Sequence, residues 1–294
     1  MQKGLMWLLS AAIISGISIY INKFAVSTVS PVAFTLMKNS AVALLFLALI
    51  FGVGGVKQLR LLKPKAWLQL ALVGFIGGGI PFILFFKGLA LTSAASASFI
   101  HKGLFVFVIL FTWIFLRERP SPWLGVSGLA LLAGNFFLLN MGKVIFGFGD
   151  VLVLLAAVMW AGEFILSKKI LADVPPRVLG FGRMFFGSLT ILAYAFAFEG
   201  GIPAAAFGLE SIKWIAITGV FLFAYVATWY NGLARESPSV AAVVLMLGSP
   251  VTTLLSVASG STITQLQWFG FGLMLAGVAA ILPKALLLRT PDAQ

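Results

Sequence analysis

The segment KGLALTSAASASF, residues 87–99, has a second copy in the same chain, NGLARESPSVAAV at residues 231–243. Two further pairs share nearly the same spacing: LLSAAIISG (8–16) with LLAAVMWAG (154–162), and WLGVSGLALLAG (123–134) with WFGFGLMLAG (268–277). Repetition at a constant offset indicates a duplicated architecture. The sequence therefore predicts two related halves, residues 1–145 and residues 146–294.

The composition places both halves in a membrane. Hydrophobic residues make up 61% of the 294 and charged residues only 10%, whereas a soluble domain carries about 25% charged residues. A membrane-spanning helix needs about 20 mostly apolar residues. Ten such runs recur along the chain, near 5–21, 31–51, 66–87, 93–115, 122–139, 151–167, 178–198, 212–233, 239–259 and 266–288. The predicted fold class is all-α integral membrane, with ten transmembrane helices.

The charges of the loops predict that the two halves are inverted. Five helices is an odd number, so the second copy must enter the membrane from the opposite side. Accordingly, the basic loop KQLRLLKPK (57–65) corresponds to the acidic EGGIPAAAFGLE (199–210). With the N-terminus inside, thirteen of the 20 Lys and Arg residues lie on the inner side and four on the outer side. Since cytoplasmic loops are the basic ones, both termini are predicted to be cytoplasmic, in a multi-pass protein of the cell inner membrane.

Two inverted repeats are a recurrent plan of secondary transporters, which bind substrate near the membrane midplane. The sequence also resembles a known family in GIPFILFFKGLALTSAASASFI (79–100), in FLRER (115–119) and in the duplicated ten-helix plan. It is similar to the drug/metabolite transporter (DMT) superfamily, EamA-type branch, over nearly the whole chain. This resemblance implies an exporter of amino acids, other metabolites or drugs. Amino-acid exporters of the YddG type are the favoured subgroup, although Lys102-Gly103-Leu104 departs from the family pattern.

Ionisable side chains inside the predicted spans are the candidate site residues, because a charge at a helix centre costs ~2.5–3.5 kcal/mol on insertion scales. Lys38, His101 and Lys102 have similar predicted depths. The two lysines could instead extend to the interface, and the histidine could be a satisfied neutral packing residue. The hypothesis is that Lys38, His101 or Lys102 binds a substrate carboxylate in a cavity lined by the three, with aromatic neighbours completing the site. The candidate substrate-binding residues are Lys38, His101, Lys102, Trp160, Phe99 and Tyr225.

A second group of residues is predicted to pair charges or to bend helices. Glu163 and Arg183 are candidates for a buried ion pair, either structural or opening as a gate. Glycine and proline permit close helix approach and bending. The candidate hinge residues are Gly77, Gly78, Gly79, Pro81 and Pro250.

The leading functional interpretation is alternating-access transport of a small amphipathic organic solute, most specifically amino-acid export, including aromatic amino acids. A phosphorylated-metabolite or drug exchanger is the alternative. An intramembrane enzyme is disfavoured, because the chain has one His, no Cys and no catalytic or metal-ligand motif. No cofactor, metal or nucleic acid is expected. The expected partners are a small-molecule substrate and the lipid bilayer, with the chain a monomer or a homodimer.

Overall fold

A computed structural model describes residues 3–25, 30–92, 94–119, 121–139, 146–260, 262 and 264–287. Every regular element within these ranges is helical. The predicted boundary between the halves, after residue 145, and the basic residues Lys143 and Arg289 that entered the charge count lie outside the described residues.

The helices follow the apolar runs of the sequence. In chain order they are α1 (Lys3–Ala25), α2 (Pro31–Gly52), α3 (Val56–Arg60), α4 (Pro64–Val73), α5 (Ile80–Leu91), α6 (Ala94–Lys102), α7 (Leu104–Phe111), α8 (Pro122–Leu138), α9 (Phe148–Ile170), α10 (Pro176–Phe198), α11 (Leu209–Leu233), α12 (Pro238–Leu245), α13 (Gly248–Ala258) and α14 (Gln265–Leu287). Prolines at the first turns of several helices fit there, because the first-turn N–H groups have no intrahelical partner.

Eight segments of the described chain are long and apolar enough to cross a bilayer. They are Lys3–Asn22, Pro31–Gly52, Pro64–Leu89, Phe99–Leu116, Phe148–Ile170, Pro176–Phe198, Leu209–Leu233 and Pro238–Leu255. Large apolar side chains also cover the outside of the bundle: Phe198 is 75% exposed and Trp113 is 57% exposed. Such a surface suits lipid rather than water. The all-helical membrane fold is thus confirmed, and the count of ten spans stays a prediction.

Three predicted spans are interrupted. Helix three, which comprises α4 and α5, passes through a π-helical segment at Gly74–Gly79. A turn at Gly103 separates α6 from α7, and a turn at Met246 and Leu247 separates α12 from α13. The break at Met246 and Leu247 has a simple cause: Pro250 has no N–H to donate to the Met246 carbonyl, and Ser249 N donates to that carbonyl instead, at 3.1 Å.

The helices pack so that α9 lies inside the bundle. It contacts both parts of helix three and both parts of helix four, which comprises α6 and α7. Elsewhere, α1 packs along α11 and α13, α2 along α10, and α8 along α14. At the centre, helix three and α10 meet backbone to backbone. A methyl group added to Gly187 would lie 2.6 Å from the carbonyl of Gly78. Small residues permit this approach, as is common between membrane helices.

Gly187→Ala is expected to lower the free energy of unfolding by about 1–3 kcal/mol, because the new methyl group meets backbone that cannot rotate away. The matched control is Gly125→Ala on α8, where an added methyl group meets nothing within 4 Å. That control is expected to be neutral or slightly stabilising. Thermal unfolding in detergent, followed by tryptophan fluorescence, measures both. Equal melting temperatures for the two variants would contradict the packing argument.

Candidate functional site

The bend in helix three leaves a backbone carbonyl for other helices to bind. Pro81 lacks an N–H and cannot donate to the carbonyl of Gly77, four residues earlier, as a regular α-helix requires. Trp160 Nε1 on α9 donates to this oxygen at 3.0 Å, and Arg183 Nη2 on α10 donates to it at 3.3 Å. The segment predicted as a hinge is therefore held by two side chains that the sequence analysis had placed in other roles.

A second carbonyl of the same bend is bound from α2. Asn39 is fully buried, and its Nδ2 donates to the Gly78 carbonyl at 3.1 Å. The neighbouring Gly79 has φ −114° and ψ −91°, outside the α-helical region. The bend thus connects helix three to α2, α9 and α10.

Glu163 and Arg183 face each other beside this bend. Arg183 Nη1 lies 3.8 Å from Glu163 Oε2, and their side chains are 6% and 0% exposed. Tyr230 OH and Ser167 Oγ both donate to Glu163 Oε1, at 2.7 Å and 2.5 Å. Within the described residues, Glu163 Oε2 and the Nη1 and Nε atoms of Arg183 make no hydrogen bond. The structure therefore brings the two charges together. Tyr230 and Ser167 bind the other oxygen of Glu163, and the Gly77 carbonyl binds the other terminal nitrogen of Arg183.

Aromatic rings surround the side chain of Trp160. The His101 ring lies 4.9 Å from the Trp160 ring in an edge-to-face arrangement. Phe85 lies 5.6 Å from both of these rings, and Phe82 lies 5.4 Å from Trp160. We call Phe82, Phe85, His101 and Trp160 the aromatic cluster. It joins helix three, helix four and α9 next to the Gly77 carbonyl.

Lys102 is a buried cation at the end of α6, immediately before the turn at Gly103. It is 4% exposed. In the part of the chain that the structure describes, no hydrogen bond or ion pair reaches its ammonium. Its sequence neighbour His101 belongs to the aromatic cluster, whereas the Lys102 side chain points about 100° further round the helix. An anionic group would supply the missing partner.

Lys38 differs because it has partners. Its ammonium donates to Asn22 Oδ1 on α1 at 3.3 Å and lies 4.6 Å above the Phe34 ring. Asn22 is in turn held by Ser18, whose carbonyl accepts its Nδ2 at 2.9 Å. Among the described contacts, none joins Lys38 to His101 or Lys102. The three basic residues that the sequence grouped by depth therefore lie in different environments.

The remaining two candidate substrate-binding residues, Phe99 and Tyr225, lie in two further environments. Phe99 packs against Phe136 of α8, with ring centroids 5.7 Å apart, away from the aromatic cluster. The reason is helical geometry, since residues two apart on a helix point about 200° apart and Phe99 therefore faces away from His101. Tyr225 stacks 6.3 Å from Trp229 and is close enough to Arg183 and Glu163 for electrostatic interaction.

Sequence reasoning missed four polar residues: Tyr230 and Ser167, which bind Glu163, Asn22, which binds Lys38, and Asn39, which binds the bend of helix three. The sequence could have indicated the contact of Ser167 with Glu163, because Ser167 follows Glu163 by four residues and so lies on the same helix face. The other three gave no such signal, because Tyr230, Asn39 and Asn22 bind partners on other helices.

The family follows from a comparison with known families, which finds matches in both halves of the chain. The model of the EamA-like transporter family matches residues 2–140 and again residues 147–282. The chain belongs to the EamA-like transporter family. The first match lies within residues 1–145 and the second within residues 146–294. The protein is a multi-pass membrane protein of a transporter family, as the family resemblance of the sequence indicated.

Three known proteins resemble the chain over most of its length. An uncharacterized transporter of Archaeoglobus fulgidus is 26% identical over 284 residues, which cover 95% of this chain and 99% of the relative. The uncharacterized transporter YyaM of Bacillus subtilis is 22% identical, covering 92% of this chain and 90% of the relative. A solved crystal structure matches with a TM-score of 0.80 at 20% identity, over 99% of both chains. This structural match establishes the fold.

Removing one partner of the Glu163–Arg183 pair is expected to cost about 3–5 kcal/mol, because it leaves an uncompensated buried charge. The double variant Glu163→Gln/Arg183→Gln is expected to lose less than the sum of its single variants. A double-mutant cycle on thermal stability in lipid nanodiscs measures this coupling. Tyr230→Phe is the companion variant, since it removes only the 2.7 Å hydrogen bond to Glu163. Additive losses would show that the two charges do not stabilise each other.

Proposed function

We propose that this protein is a secondary transporter that works by alternating access and moves a small amphipathic organic solute with a carboxylate group, most specifically an amino acid in the direction of export. The cell inner membrane is its proposed location, with both termini cytoplasmic. Membership of a transporter family supports transport. The substrate is argued from the buried site.

Two equivalent close contacts between the halves support inverted repeats. A methyl group added to Gly88 would lie 2.8 Å from Val153, and one added to Gly232 would lie 2.6 Å from Leu8. Gly232 corresponds to Gly88 in the aligned repeats, and Leu8 corresponds to Val153 within one residue. The same contact thus occurs twice: once with the glycine in the first half and its partner in the second half, and once with the glycine in the second half and its partner in the first half.

The interrupted helices support a site between the repeats. The turn at Gly103 and the turn at Met246 and Leu247 occupy corresponding positions of the two halves. Interrupted helices at corresponding positions are a feature of transporter sites near the midplane. Lys102 immediately precedes the first of these turns.

The single observation that carries the substrate assignment is the buried Lys102 without an ion pair or hydrogen bond among the described residues. A lone cation in a membrane interior is costly unless a partner neutralises it, and a substrate carboxylate would do so when bound. The adjacent aromatic cluster supplies apolar and edge-on ring surfaces for the rest of an amphipathic molecule. A metal ion would be repelled by the lysine.

Exchange into liposomes tests this assignment, with labelled amino acids, phosphorylated sugars and hydrophobic cations as the panel. Lys102→Gln is expected to reduce amino-acid exchange roughly 10- to 100-fold, as for loss of one hydrogen bond to a charged group. Lys102→Arg is expected to retain part of the activity, because it keeps the charge.

The matched control is Lys87→Gln. Lys87 is a half-exposed lysine 3.8 Å from Glu199 at a helix end, and its replacement is expected to leave exchange unchanged. Transport of hydrophobic cations alone, or full activity of a folded Lys102→Gln variant, would overturn the carboxylate assignment. Exchange of phosphorylated sugars alone would favour the metabolite exchanger instead.

A further inference from the structure

Helix α9 carries a polar side chain near each end, and each binds the turn between two other helices. Near its start, Asp150 is 1% exposed and its Oδ1 accepts hydrogen bonds from Thr92 Oγ1 at 2.7 Å and Ser96 Oγ at 2.5 Å. Its Oδ2 accepts from the Gly147 amide at 2.8 Å. We call these contacts the Asp150 clamp. It holds the turn between helix three and helix four.

Near the opposite end of α9, the side chain that binds a turn is positively charged. Lys168 Nζ donates to three backbone carbonyls, those of Leu233 at 3.0 Å, Ala234 at 3.3 Å and Glu236 at 2.8 Å. We call these contacts the Lys168 clamp. It holds the turn that follows α11 and precedes α12. Carbonyls at a helix C-terminus favour a cation.

The two clamped turns are copies of each other. Residues 87–99 and 231–243 are the repeated segments from which the duplication was recognised. One helix therefore binds both copies, at ends that lie about 27 Å apart for 18 residues at ~1.5 Å each. Under the proposed inverted topology, one turn lies at the outer surface and the other at the inner surface.

Between the clamps, α9 is anchored at its centre. Trp160 lies about midway, and its Nε1 binds the Gly77 carbonyl. One turn further on, Glu163 pairs with Arg183. The neighbouring Ala157 and Ala161 are fully buried and leave little side-chain bulk at the contact. A rigid helix held in its middle tilts as a lever, so that its ends move in opposite directions.

We propose that α9 is the lever of the transport cycle and that Asp150 and Lys168 are its positioning residues, each releasing its turn while the other stays bound. This inference rests on the alternating-access function proposed above. The Asp150 clamp would then open in the outward-facing state, and the Lys168 clamp in the inward-facing state. Trp160 in the aromatic cluster places the anchor beside the proposed substrate site, so that bound solute contacts the lever directly.

Amide hydrogen exchange measured by mass spectrometry on the full chain in nanodiscs tests the lever without any substrate. Asp150→Asn removes the charge at nearly constant shape. It is expected to speed exchange of residues 88–92 roughly 10- to 100-fold, as for one lost charged hydrogen bond. At the same time it is expected to slow exchange of residues 233–236, because the far end of α9 then stays bound for longer. Lys168→Met is expected to give the reverse pattern.

The reciprocal effect at the far end separates a lever from two local contacts. If each variant changes exchange only at its own end, α9 is not a lever and the proposal fails. Thr92→Val removes one donor and keeps Asp150, so it decides the question if Asp150→Asn does not fold. Lys87→Met lies at the same end but outside the clamp, and it is expected to leave residues 233–236 unchanged. Absence of amino-acid exchange with the reciprocal pattern intact would overturn only the proposed substrate.

Discussion

The carbonyl oxygens at the bend of helix three determine how the centre of the bundle is arranged. Hydrocarbon contains no water to satisfy a polar group, so a carbonyl that loses its helical donor must find another within the protein. Pro81 removes such a donor from Gly77. The partners come from elsewhere: Trp160 and Arg183 bind Gly77, and Asn39 binds Gly78. One local defect in a helix therefore specifies contacts among four helices.

The buried charges follow the same constraint with different outcomes. Glu163 and Arg183 neutralise each other, and Tyr230 fixes the carboxylate from its other side. Lys38 is bound by an amide oxygen and an aromatic ring, which are weaker partners than a carboxylate. Lys102 makes none of these contacts among the described residues. The two lysines at similar predicted depth thus differ in their contacts, and this difference is the basis for proposing Lys102 as the substrate-binding cation.

Helix α9 concentrates these interactions. Asp150, Trp160, Glu163 and Lys168 lie along it, each facing a different neighbour: the turn before α6, the bend of helix three, α10 and the turn after α11. The rest of the helix is largely apolar, and its buried alanines Ala156, Ala157 and Ala161 allow neighbouring helices to approach closely. These polar contacts at the ends and centre of one long inner helix are the observations on which the proposed lever rests.

Several features were readable from the sequence alone. Composition and the length of the apolar runs determined an all-helical membrane protein, and the repeated segments indicated two halves, each of which matches the family model. Glu163, Arg183, Lys38 and Lys102 stood out as candidates because a charge in a long apolar run is costly wherever the helix points.

Only the tertiary structure decided which of these groups meet. In the structure, Lys38 and Lys102 lie in different environments and Phe99 faces α8. Asp150 binds Thr92 and Ser96. Contacts between residues far apart in the chain depend on the rotation and tilt of each helix. Helices that are apolar on nearly every side carry too weak a periodic pattern to specify that rotation. The sequence by itself therefore determined the helices and their charged residues, and the packing of the helices decided the partners.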